Sequence, residues 1–341
     1  MKKLLNTLYV TTQKTYLRKE GETVAVEKEG QTVLRLPVHT LSGIVTFGNV
    51  MTSPYLLHLC AEKGIGVSYM SEQGRFLARV SGPVSGNVHL RMAQMRAYEN
   101  SETKGMIARS FVIGKVVNAR NVLMRRCRDH GTTEDLGAAV KSLGDVLLRL
   151  RDSPPDTARV RGLEGEAAAV YFGVFNRLLV AQEREFSIVS RNRRPPVDPM
   201  NALLSFLYTL LVHDCRSALE GVGLDPQIGF LHELRSGRPS LALDLMEEFR
   251  AVVADRIALS LVNLKQVTKR DFKVVETGAV EMKDDARKTV LMAWQKKKQE
   301  EVTHPFTGDK VQMGLLPHLQ ALLLARHLRG DLDAYPPYLP K

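Results

Sequence analysis

Cysteine is scarce in this chain. Cys60, Cys127 and Cys215 are the only three among 341 residues. They are too scattered for a disulfide framework or a zinc pattern, so a reducing cytoplasm and buried structural thiols are the expectation. No run of about 20 apolar residues occurs, and no lipidation motif or signal peptide is visible. The opening Met1-Lys2-Lys3 is basic, but Asn6, Thr7 and Thr11 interrupt any apolar stretch behind it. No Walker loop, Gly-x-Gly-x-x-Gly or Cys-x-x-Cys is present. Nucleotide hydrolysis, dinucleotide redox chemistry and zinc fingers are therefore poor candidates. There is no internal repeat and no low-complexity tract. Acid is outnumbered: 37 Asp and Glu face 48 Lys and Arg, a net charge of +11. That excess favours a polyanionic partner, nucleic acid before a membrane surface.

A chain of this length suits two domains. The first eighty or so residues read as strands. Thr23–Glu27 and Thr32–Leu36 flank a Glu29-Gly30 turn as a hairpin, and residues 43–47, 67–70 and 74–80 are further short runs. Ser53-Pro54 starts a helix of about ten residues. The breaker cluster at residues 82–86 sets a boundary, giving an N-terminal β-domain over 1–84 and an α-helical domain over 85–341. The fold class is α+β, a small β-domain before a larger all-α one. In the second part, Leu90, Met92, Met95 and Tyr98 begin an amphipathic run, and residues 104–128 continue it. Residues 160–179 and 203–219 read as buried helices. Residues 240–261, 284–301 and 311–328 read as three more, and 192–199 as a proline-broken loop.

Three stretches carry candidate chemistry: Arg161-Gly162-Leu163-Glu164-Gly165, Gly229-Phe230-Leu231-His232 and Asp244-Leu245-Met246-Glu247. One imidazole with several carboxylates is a donor set that suits Mg²⁺ or Mn²⁺. Such a set in a basic protein points to phosphodiester chemistry. Asp244 and Glu247 lie three apart on a predicted helix and share one face. Each residue also has a plainer reading. Glu164 suits a helix's first turn, His232 a satisfied structural position, and Asp244 with Glu247 and Glu248 a solvated face. Arg161, Arg191, Arg193, Arg194, Arg235, Arg238 and Arg250 are the candidates for phosphate contact, or else ordinary solvated arginines. Lys296-Lys297-Lys298 reads as a solvated helical face.

Taken in order, these stretches resemble the CRISPR-associated integrase family, the first Cas protein, over nearly the whole chain. Residues 44–48 and 64–67 look like that family's β-domain, and Arg91 with Gln94 like its Arg-x-x-Gln. The segment 161–172 is similar to its catalytic glutamate helix. Residues 193–205 look like its most distinctive segment, and 229–232 with 244–250 like its metal-ligand stretch.

The resemblance implies a metal centre of Glu164, His232 and Glu247 binding Mg²⁺ or Mn²⁺. Asp244 would be a further catalytic acid, a direct ligand or a holder of one. Many members carry Asp at the position of Glu247, so this chain's longer side chain is a departure. The implied reaction is attack of a DNA 3′-hydroxyl on a phosphodiester at the end of a CRISPR repeat, inserting a short duplex during spacer acquisition. Water in place of the hydroxyl gives nuclease activity. The implied partners are double-stranded DNA, a second copy joined through the β-domain, and the small second Cas protein. The overall style of the chain suits a type I system. A stand-alone nuclease for branched or single-stranded DNA, and a non-catalytic DNA-binding architectural protein, are the alternatives.

Overall fold

Alternate burial along short strands builds two small sheets at the start of the chain. The structure is a computed structural model and describes residues 6–72, 76–80, 82, 88–192 and 195–340. Strands β1 (Asn6–Val10), β2 (Thr15–Glu20), β3 (Thr23–Lys28), β4 (Gln31–Pro37), β5 (Leu41–Phe47) and β6 (Val50–Thr52) precede helix α1 (Pro54–Glu62). Strands β7 (Gly66–Met70) and β8 (Phe76–Val80) come after it. One sheet runs β1-β5-β7-β8, parallel until β8 turns back. The other runs β4-β3-β2-β6. The β3–β4 hairpin expected around Glu29-Gly30 is present, with Lys28 facing Gln31. Helix α1 starts where expected, because the Ser53 side chain accepts from the Leu56 amide and Pro54 fills the first turn. Leu17, Val24, Ile44, Leu56, Leu59 and Val67 form a shared core. At full burial each such side chain contributes about 2 kcal/mol. The breaker cluster proposed as a boundary lies outside the described residues, apart from Gly82.

Helices dominate the rest of the chain. They are α2 (Val88–Glu99), α3 (Ser101–His130), α4 (Glu134–Asp152), α5 (Thr157–Gly173), the short α6 (Glu183–Phe186) and α7 (Pro199–Val222). Side chains of Asn100, Asp156 and Asp198 cap α3, α5 and α7 by accepting from the amides of Thr103, Arg159 and Asn201. Helix α7 is buried along most of its length and packs on the segments after it, α8 (Ser240–Met246), a wide π turn at Arg250–Asp255 and α9 (Arg256–Asn263). Then come β9 (Phe272–Val274), β10 (Val280–Met282), α10 (Asp284–Gln299), β11 (Glu301–Thr303), β12 (Lys310–Gln312) and α11 (Leu316–Leu328).

Several sequence expectations change here. The region after residue 85 is helical but not all-α. β9 pairs with β10 and β11 with β12, and three-residue strands are too short to show a period of two. Pairing of 310–312 delays the last helix to Leu316. The single helix read over 240–261 is three pieces. The domain boundaries also differ. One compact unit comprises Met1–Ser85 with Met282–Gln299, and the other Gly86–Glu281 with Glu300–Lys341. Helix α10 goes with the strands: its Gln295 side chain donates to the Thr7 carbonyl at 2.8 Å. In α2 the buried polar residue is Gln94, while Met92 and Met95 are exposed. Gln94 bonds both ways with the turn at 225–228, donating to the carbonyls of Asp225 and Ile228 and accepting from the Asp225 amide.

The helical unit closes on a buried carboxylate. Glu248 accepts from the Tyr335 hydroxyl, from Gln320 Nε2 at 2.8 Å and from the Tyr338 amide at 2.6 Å. Asn118 of α3 joins the same place, donating to the carbonyls of Glu248 and Tyr338. Burial pushes the Glu248 carboxyl up to about 7, although its three donors pull the other way. A carboxyl raised above its ordinary 4.5 gives stability that is complete below that value and lost as pH rises through about 7. Glu248→Gln therefore removes a loss of roughly 3 kcal/mol between pH 5 and 8. Urea unfolding across that range should show the variant gaining on the wild type as pH rises. A constant difference would refute the ionisation.

Candidate metal centre

The site lies within the helical unit, and one buried carboxylate sets its geometry. Asp244 on α8 has no exposed surface. Its Oδ2 accepts from the amides of Phe230 at 2.6 Å and Leu231 at 2.9 Å. Its Oδ1 accepts from the His232 amide at 2.9 Å and lies 2.7 Å from His232 Nδ1. Three backbone donors and one ring nitrogen fill both oxygens, which holds the 229–232 turn against α8. The turn needs Gly229, because a Cβ there would stand 2.7 Å from the Ser240 backbone and 2.8 Å from Asp244 Oδ2. A carboxylate beside Nδ1 selects the tautomer with its proton on Nδ1, so Nε2 carries the ring lone pair. Both oxygens of Asp244 are thus occupied by the 230–232 segment.

Glu247 comes at the end of α8 and is 3% exposed. Arg250 Nη1 grips both its oxygens, at 2.8 and 3.0 Å. Lys115 Nζ of α3 lies 2.8 Å from Glu247 Oε2 and also bonds Glu164 of α5. Burial alone would raise the Glu247 carboxyl. The charges of Arg250 and Lys115 more than offset that and hold it far below the usual carboxylate range. Glu164 is about a quarter exposed, and it sits well inside α5, which begins at Thr157. The first-turn reading of Glu164 therefore fails. Nor are Asp244, Glu247 and Glu248 a solvated face, since all three are buried.

The scaffold behind these groups is tied by polar contacts. Asp255 accepts from Tyr171 of α5 at 3.1 Å and Tyr208 of α7 at 2.7 Å, fixing the glutamate helix against the π turn. Burial raises the Asp255 carboxyl to about 6, against the two hydroxyl bonds and Arg250. Helix α3 comes close because residue 114 is glycine: a Cβ there would lie 2.9 Å from Glu248 Cγ and 3.1 Å from Pro337. Lys115 is thereby brought within reach of Glu247.

The structure thus brings Glu164 and Glu247 together through Lys115, and His232 near enough to act on Glu247's charge. Among the described residues no three or more His, Cys, Asp or Glu side chains are grouped so as to hold a metal ion. The two glutamates meet on an ammonium instead. Two glutamates converging on one positive charge, with the His232 imidazole in electrostatic range, are the donor types that suit a divalent cation.

The arginines divide. Arg161 lies one turn before Glu164 and pairs with Glu233 at 2.6 Å. Arg235 is exposed and Arg238 half-buried on the loop after His232. Arg250 is not a surface arginine. It is largely buried against Glu247, with its guanidinium 4.4 Å from the Tyr208 ring centre. Arg191 is likewise committed, to Asn201 at 2.6 Å and Ser205 at 3.2 Å. Arg193 and Arg194 lie outside the described residues. Lys115 was missed in the sequence. Its one signal is position, four residues after buried Phe111 and three before buried Asn118, where a solvated lysine does not belong.

The family model for CRISPR associated protein Cas1 matches residues 8–296. The chain belongs to the Cas1 family. It is 52% identical to a CRISPR-associated endonuclease Cas1 of Chlorobaculum tepidum, over 99% of each chain. It is 53% identical to another from Rhodospirillum rubrum, over the full length of both. The fold is shared with a Cas1 protein from Thermotoga maritima, with a TM-score of 0.83 and 24% identity over 97% of this chain and 99% of that one. It is shared too with a casposase bound to integration product, TM-score 0.84 at 22% identity over 97% and 93%. The α+β fold class expected from the sequence is the Cas1 one.

Asp244→Asn puts an amide hydrogen pair against backbone donors that now meet oxygen. The expected cost is about 2–4 kcal/mol, read by urea unfolding. Gly229→Ala should lose a similar amount for a steric reason. Wild-type stability in both variants would show that the 229–232 turn is not held as described.

Proposed function

We propose that this Cas1 protein is the metal-dependent DNA integrase and endonuclease of CRISPR adaptation. It inserts short duplexes into a repeat array by 3′-hydroxyl attack on a phosphodiester. The observation that carries the reading is the convergence of Glu164 and Glu247 on one cationic position, beside an imidazole whose lone pair Asp244 orients. Membership of a family whose relatives are named endonucleases supports it.

Glu164, Glu247 and His232 Nε2 would hold the metal, Mg²⁺ or Mn²⁺. A bound divalent ion supplies charge balance at the transferring phosphoryl group and makes the attacking hydroxyl easier to ionise. The remaining work falls to the chain. Asp244 keeps the His232 tautomer and ring orientation, and Arg250 Nη1 bridges both oxygens of Glu247. Arg161, Arg235 and Arg238 would take DNA phosphates, with Arg193 and Arg194 as further candidates. The charge of +11 draws in the duplex.

The strand unit is the dimerisation unit. Its β4 is the end strand of its sheet and carries Val33 at 61% and Leu34 at 42% exposure, an edge that a second copy would cover. The small second Cas protein completes the working complex. The fold shared with a chain of a Cas6-RT-Cas1–Cas2 complex, at a TM-score of 0.84, is compatible with that assembly. Among the described residues no helix is long and apolar enough to cross a membrane, and the cytoplasm is the proposed location.

The test is strand joining of a labelled short duplex into a supercoiled plasmid bearing a repeat, with the second Cas protein added. Joining should need Mn²⁺ or Mg²⁺, stop in EDTA, and fall at least about 100-fold in Glu164→Ala and in His232→Ala. Shortened but unjoined strands would make the protein a nuclease alone. Full activity in either variant would remove the proposed centre. In DNA binding, Arg235→Ala should lower the slope of log affinity against log salt by about 1. An unchanged slope would take Arg235 off the DNA path.

A further inference from the structure

Lys115 is out of place for an ordinary lysine. Its side chain is 12% exposed, and its ammonium bonds Glu164 and lies 2.8 Å from Glu247. Glu247 already has the paired grip of Arg250, so it does not depend on Lys115 for a cation. Two positive charges, Lys115 and Arg250, stand against two negative ones, Glu164 and Glu247. The group is neutral. A divalent cation added to these four groups would leave them two positive charges in excess, offset only in part by the Asp244 carboxylate behind His232. Arg250 is locked by both carboxylate oxygens of Glu247 and lies over the Tyr208 ring. Lys115 has no such bridge to both oxygens of one carboxylate and no ring beneath it. It is a point charge on a flexible stem, and it is the member able to leave.

We propose that Lys115 is the exchangeable counter-ion of the metal centre. In the metal-free protein its ammonium draws Glu164 and Glu247 together and occupies the cation's place. When a divalent ion enters, Lys115 swings out. The metal-free protein then does not carry two bare, repelling carboxylates, so the centre is preorganised at little cost. Metal binding is in turn weakened by the displacement it requires. DNA phosphate offers the displaced ammonium a new partner, which couples metal entry to substrate. Lys115 acts here as a positioning residue. The inference rests on Glu164 and Glu247 being metal ligands.

Mn²⁺ binding to the full-length protein, read from the free-ion EPR signal without DNA, tests it. The Lys115→Met variant should bind Mn²⁺ at least tenfold more tightly than wild type. Its metal-free melting temperature should fall by several degrees, and its rise on adding Mn²⁺ should be larger than in wild type. Glu164→Ala should lose binding. Equal or weaker Mn²⁺ binding by folded Lys115→Met would overturn the exchange while leaving the metal centre intact. Absence of Mn²⁺ binding by wild type would overturn the centre itself and the exchange with it. A wild-type measurement guards against a variant that does not fold. An amine-reactive label followed by mass spectrometry should modify Lys115 several-fold faster with Mg²⁺ than in EDTA. An unchanged rate at saturating Mg²⁺ would mean that Lys115 does not leave.

Discussion

Four carboxylates, Asp244, Glu247, Glu248 and Asp255, are buried in one short stretch of chain, and the helical unit is organised by the need to satisfy them. An unmet buried carboxylate would cost several kcal/mol, a large share of a domain's whole stability. Each is met by a different chemistry. Asp244 has backbone amides and an imidazole, while Glu247 has a guanidinium and an ammonium. Glu248 and Asp255 have mainly hydroxyl and amide donors without a formal charge of their own. The partners come from α3, α5, α7, α11 and the tail after α11, so satisfying these groups also fixes where those elements sit.

That division of partners has a functional sense. Glu248 and Asp255, whose carboxyls are raised toward neutrality, brace the backbone from behind. Glu247 is held firmly ionised, as a cation ligand must be. Neighbours in sequence thus have opposite electrostatic fates, set by whether the facing groups are tyrosines and amides or basic side chains.

The strands β3, β4, β5, β7 and β8, the start of α1 and most helices were legible, because alternation, proline and capping residues act locally. Glu164, His232, Asp244 and Glu247 were legible as ordered motifs, but spacing could not bring them together. It also misled at Arg250. An arginine after two glutamates looks solvated, yet it lies three residues after Glu247 on a buried face and turns back on it. Lys115 hid for the same reason, as one cation on a long basic helix. The single helix read over 240–261 failed because hydrophobic periodicity does not register a widened turn. Helix α10 groups with the strand unit, which sequence order does not show, and its contact with Thr7 is made across most of the chain.

The tail contact has a consequence for how the protein comes into being. Glu248 takes one of its bonds from Tyr338, 90 residues further along the chain. Asn118 binds the same two residues, and Asn121 donates to Pro340. During synthesis the segment carrying Glu247 emerges long before those partners exist. Its acid can be fully met only after the stretch around residues 335–340 has been made, so the centre beside it is assembled late and from both ends of the helical unit.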